Sequence, residues 1–311
     1  MIVTLHDIRR KRANRETIRV DVFPLARQYT GRLVDVICVA IDGKGLPDDQ
    51  GSLDGLPDVA ILHITELSCI NSFVEKGKGY PFPYVIVLSG ETWELHPQIP
   101  IKYFIRPYQG ACPFPNVYYP FLYMSLDERK QIEQQSEQSE LAERDKKWMA
   151  FMYHQNYDHR NEWFHKLSAY KRVDGLGRAC NNVDRMSTRF VHNESETYND
   201  IAVRLYRDYS FVLAIENTWK EGYMTEKLLN PILAGSIPLY WGHPSAFRYI
   251  NKNRVIYLPD YETEELMKRL DELETNPDLY QQMVTQPIYT EDGDPERVFR
   301  KYTEAVTLHF S

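Results

Sequence analysis

The residues with the most chemistry to offer are crowded into one stretch. Glu216 and Asn217 close an apolar run, Phe211–Ile215, and Thr225, Glu226 and Lys227 open the amphipathic stretch that follows. A run of that composition predicts a strand buried on both faces, which puts the two polar side chains at its carboxyl edge. Gly222 lets the backbone turn, and Thr225 can cap a helix whose first amides have no partner. Lys227–Ala234 continues at helical spacing until Gly235 stops it, and Pro231 inside that pattern predicts a kink or an early break. Ile237–Trp241 predicts a second strand. A helix amino terminus offers free N–H groups and a partial positive charge, Lys227 adds a full charge, and Glu226 can accept hydroxyl protons. Residue types and order therefore predict a phosphorylated or nucleotide ligand at the carboxyl edge of a parallel sheet.

Two residues far away in sequence fit the same chemistry. Arg160 stands at the entrance of a candidate helix, Asn161–Tyr170. A cation there opposes the helix dipole, which motivates an anionic partner, either a ligand phosphate or a surface carboxylate. Glu91 follows Ser89 and Gly90 beyond the apolar run Tyr84–Leu88, so it reads as a base freed at a strand end or as an ordinary surface acid. His154, His159 and His165 do not share one helix face, and Asp292-Gly293-Asp294 sits in a late turn rather than behind a buried strand. Neither pattern predicts a metal site.

Taken as motifs, E-N-T-W-K-E-G-Y-M-T-E-K (216–227) and A-G-S-I-P-L-Y-W-G (234–242) closely resemble the donor-binding core of the α-1,3-fucosyltransferase family, glycosyltransferase family 10. The run R-N-E-W-F-H-K-L-S-A-Y-K-R-V-D-G-L-G-R-A-C-N-N-V (160–183) resembles the segment that precedes that core, and S-G-E (89–91) resembles the family's stretch around its base. Thr92 stands where the family usually has Asn. The resemblance covers most of the second half of the chain. It implies an α/β fold with two Rossmann-like domains facing across a cleft, the glycosyltransferase B type. It also implies inverting transfer of L-fucose from GDP-fucose to a hydroxyl of an acceptor glycan, in α-1,3 or α-1,4 linkage to N-acetylglucosamine. Glu91 is then the catalytic base. Arg160, Lys227 and the amides at Thr225 neutralise the departing diphosphate, while Asn217, Tyr223 and Glu226 hold ribose, base or sugar hydroxyls in an order the sequence leaves open. No cofactor is required, and a divalent metal is at most stimulatory. Trp93, on the acceptor side, and Trp219 either stack on sugar rings or pack in the core. Another nucleotide sugar as donor, or a catalytically silent glycan- or nucleotide-binding protein, are the competing readings.

The elements that must position these residues divide the chain. Residues 1–126 predict an acceptor-binding Rossmann-like domain with strands at Leu33–Ile41, Asp58–Ile64, Tyr84–Leu88 and Ile101–Ile105, a helix at Ser68–Lys76 and a long loop at Asp42–Pro57. Residues 127–147, dense in Glu, Gln, Ser and Lys, predict a polar linker or helix. Residues 148–311 predict the donor-binding domain, with a closing helix, Pro295–Leu308, that crosses back onto the first. A net charge of −7 argues against wrapping nucleic acid or coating an anionic membrane, and the basic run Arg9–Arg12 reads as a solvated face. Cys38, Cys69, Cys112 and Cys180 lack paired spacing and read as free thiols of a reducing compartment, while their even number leaves disulfides arithmetically open. With no eighteen-residue apolar stretch and no signal-peptide pattern, the expected setting is the cytoplasm of a bacterial or viral type, or the Golgi lumen if an anchor has been removed.

Overall fold

A computed structural model describes residues 3–42, 57–63, 83–89, 101–106, 109, 112, 115–120, 146–183 and 198–311. Glu91, Trp93, Cys69, the helix expected at Ser68–Lys76, nearly all of the loop expected at Asp42–Pro57 and nearly all of 127–147 lie outside the described residues. Along the chain run α1 (Leu5–Ala13), β1 (Val20–Val22), α2 (Pro24–Asp42), β2 (Val59–His63), β3 (Tyr84–Leu88), β4 (Ile101–Arg106) and β5 (Asn116–Tyr118). They are followed by β6 (Lys147–Phe151), α3 (Asp158–Ser168), β7 (Val173–Gly175), α4 (Tyr198–Tyr206), β8 (Tyr209–Ile215), α5 (Glu226–Leu233), β9 (Ile237–Trp241), β10 (Ile256–Tyr257), α6 (Thr263–Thr275), α7 (Pro277–Val284) and α8 (Pro295–Phe310). Met1–Ser125 and Pro295–Ser311 form one compact unit, and Leu126–Asp294 forms the other.

In the first unit β1-β2-β3-β4-β5 pair side by side, all parallel. Every residue of β2 and β3 is buried, as expected of parallel strands covered on both faces. The apolar run Leu33–Ile41 is not a strand but the second half of α2. Leu33, Val34, Ile37, Cys38 and Ile41 are buried while Val39 is 46% exposed, which is the spacing of one helix face. The β-branched composition suggested the strand, and the burial period shows why the helix wins. On α8, Val298, Tyr302, Val306 and Phe310 are buried at four-residue intervals, and the Tyr302 hydroxyl donates to the Leu33 carbonyl at 2.9 Å. The basic run on α1 is not merely solvated. Arg9 donates to the His309 carbonyl, Lys11 pairs with Asp58 at 2.8 Å, and Arg12 donates to the Ala40 carbonyl.

The second unit has the strand order β10-β9-β8-β6-β7, again all parallel. From β6 the chain first goes outward to β7, then returns past β6 to β8 and continues to β9 and β10. The direction of winding therefore reverses between β6 and β8, and in an open α/β sheet such a reversal leaves a crevice beyond the carboxyl ends of the two strands. Alternate residues of β8 separate the layers: Phe211, Leu213 and Ile215 pack with Phe151, Phe164, Leu266 and Leu270, and Val212 packs on the other face with Ala202, Tyr206 and Ala234. Helix α5 runs through Pro231 to Leu233, and Gly235 follows its C-cap at φ 70°. Strand β10 is only Ile256–Tyr257, set between two 3₁₀ turns. No described helix is long and apolar enough to cross a membrane.

Candidate functional site

The crevice between β6 and β8 is built from the strand ends outward. Tyr153, two residues beyond β6, is buried and ties the two strands together: its hydroxyl donates to the Leu213 carbonyl (3.0 Å) and accepts from the Ile215 N–H (2.6 Å). The loop after β7 holds Tyr153 from behind. Ala179 N–H donates to its carbonyl (2.9 Å), and a Cβ on Gly177 would lie 2.1 Å from that same oxygen, so only glycine fits. Asn181 donates to the Gly175 and Gly177 carbonyls and Asn182 to that of Val173, which fixes the loop. The V-D-G-L-G-R-A-C-N-N run is thus scaffolding for the crevice.

Arg160 reaches in from the first turn of α3. It is 2% exposed, its Nε donates to the Ile215 carbonyl (3.3 Å), and its Nη2 donates to Asn217 Oδ1. The guanidinium carbon lies 4.3 Å from the ring centre of Tyr153 and 4.7 Å from that of Tyr157. Among the described residues no carboxylate comes within ion-pair distance of it, so a carbonyl, an amide and two aromatic faces hold the cation without neutralising it.

Across the crevice, Glu216 organises the start of α5. Its carboxylate has no exposed surface and accepts both the Thr225 N–H and the Thr225 hydroxyl, each at 2.8 Å. Thr225 Oγ1 in turn accepts from the Lys227 N–H as the helix cap and from Lys227 Nζ, both at 3.3 Å. Burial pushes the Glu216 carboxyl up to about 7, against the opposing pull of Lys227 and the Thr225 hydrogen bonds. Gly242 keeps the space this carboxylate needs, since a Cβ there would sit 2.3 Å from the Tyr240 hydroxyl and 3.0 Å from Glu216 Cγ. Lys227 Nζ is 3.0 Å from Glu226 Oε1, with both side chains less than a fifth exposed. Burial alone would lower the Lys227 pKa, but Glu226 and Glu216 outweigh it and hold the ammonium charged. Likewise burial would raise Glu226, and Lys227 keeps its carboxyl below the usual range.

The result is a cavity of about 160 Å³ lined by His154, Arg160, Tyr198, Asn217, Glu226 and Lys227 among others. Two cations and a capped helix start face one volume, with a carboxylate and an amide beside them. This arrangement can bind a polyanion and hydrogen-bond hydroxyl groups next to it. Of the residues singled out from sequence, Arg160, Asn217, Glu226 and Lys227 meet here and Thr225 stands directly behind as the cap. Tyr223 does not line the cavity: its ring is fully buried, because the chain turns inward between Gly222 and α5. Sequence reasoning missed Glu216 as the clamp, and it missed Tyr153, Tyr198 and His154. Glu216 carried a signal, an acid directly after a wholly apolar strand. The other three owe their meeting to strand order. Among the described residues no group of three or more His, Cys, Asp or Glu could hold a metal ion, and Asp292 pairs with Arg248 at 3.3 Å.

Residues 141–285 match the family "Glycosyltransferase family 10 (fucosyltransferase) C-term", a range that includes every residue of this crevice. Residues 141–285 are thus similar to glycosyltransferase family 10. A protein of Acanthamoeba polyphaga mimivirus named "Putative fucosyltransferase" is 35% identical over 285 residues, which is 90% of this chain and 44% of the viral protein. The "GDP-fucose protein O-fucosyltransferase 3" of Xenopus tropicalis is 31% identical over 127 residues, 40% of this chain and 26% of that one. This chain thus spans less than half the length of these two relatives. A crystal structure of an alpha1,3-fucosyltransferase with GDP superposes with a TM-score of 0.64 at 15% identity, covering 94% of this chain and 90% of the other. At that identity the likeness shows the fold, which is the glycosyltransferase B type.

Proposed function

We propose that this chain is a fucosyltransferase that moves L-fucose from GDP-fucose to an acceptor hydroxyl with inversion, forming an α-1,3 or α-1,4 linkage to N-acetylglucosamine. The observation that carries this reading is the convergence of Arg160, Lys227 and the Thr225-capped start of α5 on one cavity at the switch point. In a single displacement the acceptor oxygen bonds to the anomeric carbon as the bond from that carbon to the diphosphate oxygen breaks. The acceptor proton goes to a base and the electron pair leaves on GDP. Glu91, in its S-G-E stretch, is the proposed base. The charge developing on the diphosphate is offset by Arg160 and Lys227, so side chains and a helix terminus do what a divalent ion does elsewhere, and the reaction needs no metal. Asn217 and Glu226 are placed to hold hydroxyls of ribose or sugar. Tyr223, behind them, supports the loop.

The test is transfer from GDP-β-L-fucose to glycans ending in N-acetylglucosamine, with a polypeptide acceptor as a second arm because one relative's name specifies protein O-fucosylation. The expected product is α-linked. Glu91→Gln should lower turnover by about 10²–10⁴-fold while calorimetry finds GDP binding close to wild type. A preference for UDP over GDP, or a β-linked product by NMR, overturns the reading.

A further inference from the structure

One aromatic strip of the second unit lies outside the cavity and meets the core through Trp241. Trp219, in the loop between β8 and α5, is 44% exposed. Its ring meets Trp241 at 5.2 Å and His243 at 5.9 Å between centroids, both T-shaped. Trp241, the last residue of β9, meets His159 at 4.8 Å, and His159 stacks on Tyr157, itself 40% exposed, at 5.8 Å. Five rings therefore run without a break along the carboxyl edge of the sheet, from the start of α3 to the turn after β9. None of the five lines the cavity. The strip nevertheless adjoins it, since His159 precedes Arg160 on α3 and Asn217 shares the loop of Trp219.

The hydrogen bonds fix which histidine nitrogens are left over. His159 Nε2 lies 3.1 Å from the Glu216 carbonyl oxygen, which can only accept, so the proton is on Nε2 and Nδ1 of the neutral ring is a bare acceptor. For His243 the assignment is the opposite. Its Nδ1 accepts the Ser245 N–H (3.2 Å), and the Ser245 hydroxyl, which takes the Gly222 N–H on its lone pair (2.7 Å), points its proton at the same nitrogen (2.8 Å). The neutral ring then carries its proton on Nε2, a bare donor. Neither leftover nitrogen hydrogen-bonds any described group. The strip thus offers indole surface between an unused acceptor at one end and an unused donor at the other.

That combination selects among ligands. A purely apolar partner would bury the two nitrogens unsatisfied, at a cost. A pyranose has a C–H face for the indole and an equatorial rim of hydroxyls that both donate and accept, so it satisfies the whole strip. A base is better served inside the cavity, where His154 and Tyr198 already bring their rings to 6.0 Å. We propose that the strip is a saccharide-binding subsite of the second unit, with a pyranose lying on Trp219 and its hydroxyls meeting His159 Nδ1 and His243 Nε2–H. That this saccharide is the acceptor rests on the fucosyltransferase reading; that it binds here does not.

The experiment uses the full chain, with saturation-transfer NMR and tryptophan fluorescence titrations of N-acetyllactosamine, N-acetylglucosamine and methyl β-galactoside, and calorimetry for GDP. Trp219→Ala should weaken binding of the best saccharide about tenfold. Trp219→Phe should recover most of it, and His243→Ala should cost a few-fold, with GDP affinity unchanged in all three. Because Phe and the His243 variant keep most of the packing, they carry the test if Trp219→Ala does not fold. Wild-type protein that binds none of the three saccharides, or variants that bind the best one as wild type does, overturn the subsite. A Trp219 variant that loses GDP as much as saccharide makes the strip a nucleoside surface and overturns it as well. Failure of wild-type protein to bind GDP would instead sink the fucosyltransferase reading.

Discussion

Among the described residues the two units each show five parallel strands, yet they differ in the order in which the strands were laid down. In the first, the described strands follow one another from β1 to β5 with no reversal. In the second, the order turns back between β6 and β8, and the cavity with its two cations lies at that turn. Among the described residues, the cavity and its two cations go with the reversal of winding rather than with the parallel sheet as such. Reversal of winding separates two neighbouring strand ends, and polar groups at those ends can then face a common ligand instead of being covered by the next crossover.

The sharpest way to break this contrast is at Arg160. Arg160→Ala should weaken GDP binding about hundredfold, in the range expected when one member of a buried charged contact is removed, and should leave guanosine affinity nearly unchanged. Calorimetry decides. Equal losses for GDP and guanosine would move Arg160 off the phosphates and would leave the reversal without its assigned anion.

A second test concerns Glu216, which couples the sheet end to the helix start. Its carboxyl titrates near 4.5 ordinarily and near 7 here, so between those values the folded chain keeps a proton that the unfolded chain has lost. Stability should fall as pH rises through that window and level off above it, with an upper bound of roughly 3 kcal/mol from the size of the shift. Glu216→Gln should remove that part of the slope. Urea denaturation of both proteins at several pH values from 4.5 to 8 would show it, and parallel curves would mean that Glu216 titrates normally.

The smallest effect belongs to the first unit. Tyr302→Phe deletes the buried hydrogen bond to the Leu33 carbonyl and should cost about 1 kcal/mol of stability with no change in GDP affinity. If GDP binding weakened with it, the assignment of the donor to the second unit alone would not stand.

How legible all this was depended on how local the cause was. Strands Tyr84–Leu88 and Ile237–Trp241 could be read to the residue, because a short apolar run between turn signals has few alternatives. The cap at Thr225 and the left-handed turns at Gly222 and Gly235 are equally local. Leu33–Ile41 failed because its Val and Ile content outweighed a burial period that is plain only once α8 lies against one face. In the cavity, the motif residues Arg160, Asn217, Glu226 and Lys227 could be picked out one by one, but nothing along the chain tells that Tyr153 bridges two strands or that Tyr198 arrives from the helix before β8. Tyr223 is the complementary case: its ring is buried in the loop that carries the site and does not line the cavity.

The composition of the first unit also sets an order of events. Its residues come from two stretches, Met1–Ser125 and Pro295–Ser311, and the second unit occupies everything between. A ribosome that has released the whole of the second unit has yet to release α8, so the part of α2 that α8 covers stays open until then. The second unit can thus finish folding while its companion still waits for sixteen residues of helix. The interval during which apolar surface is open to aggregation, or to a chaperone, is set by the time needed to synthesise that intervening unit.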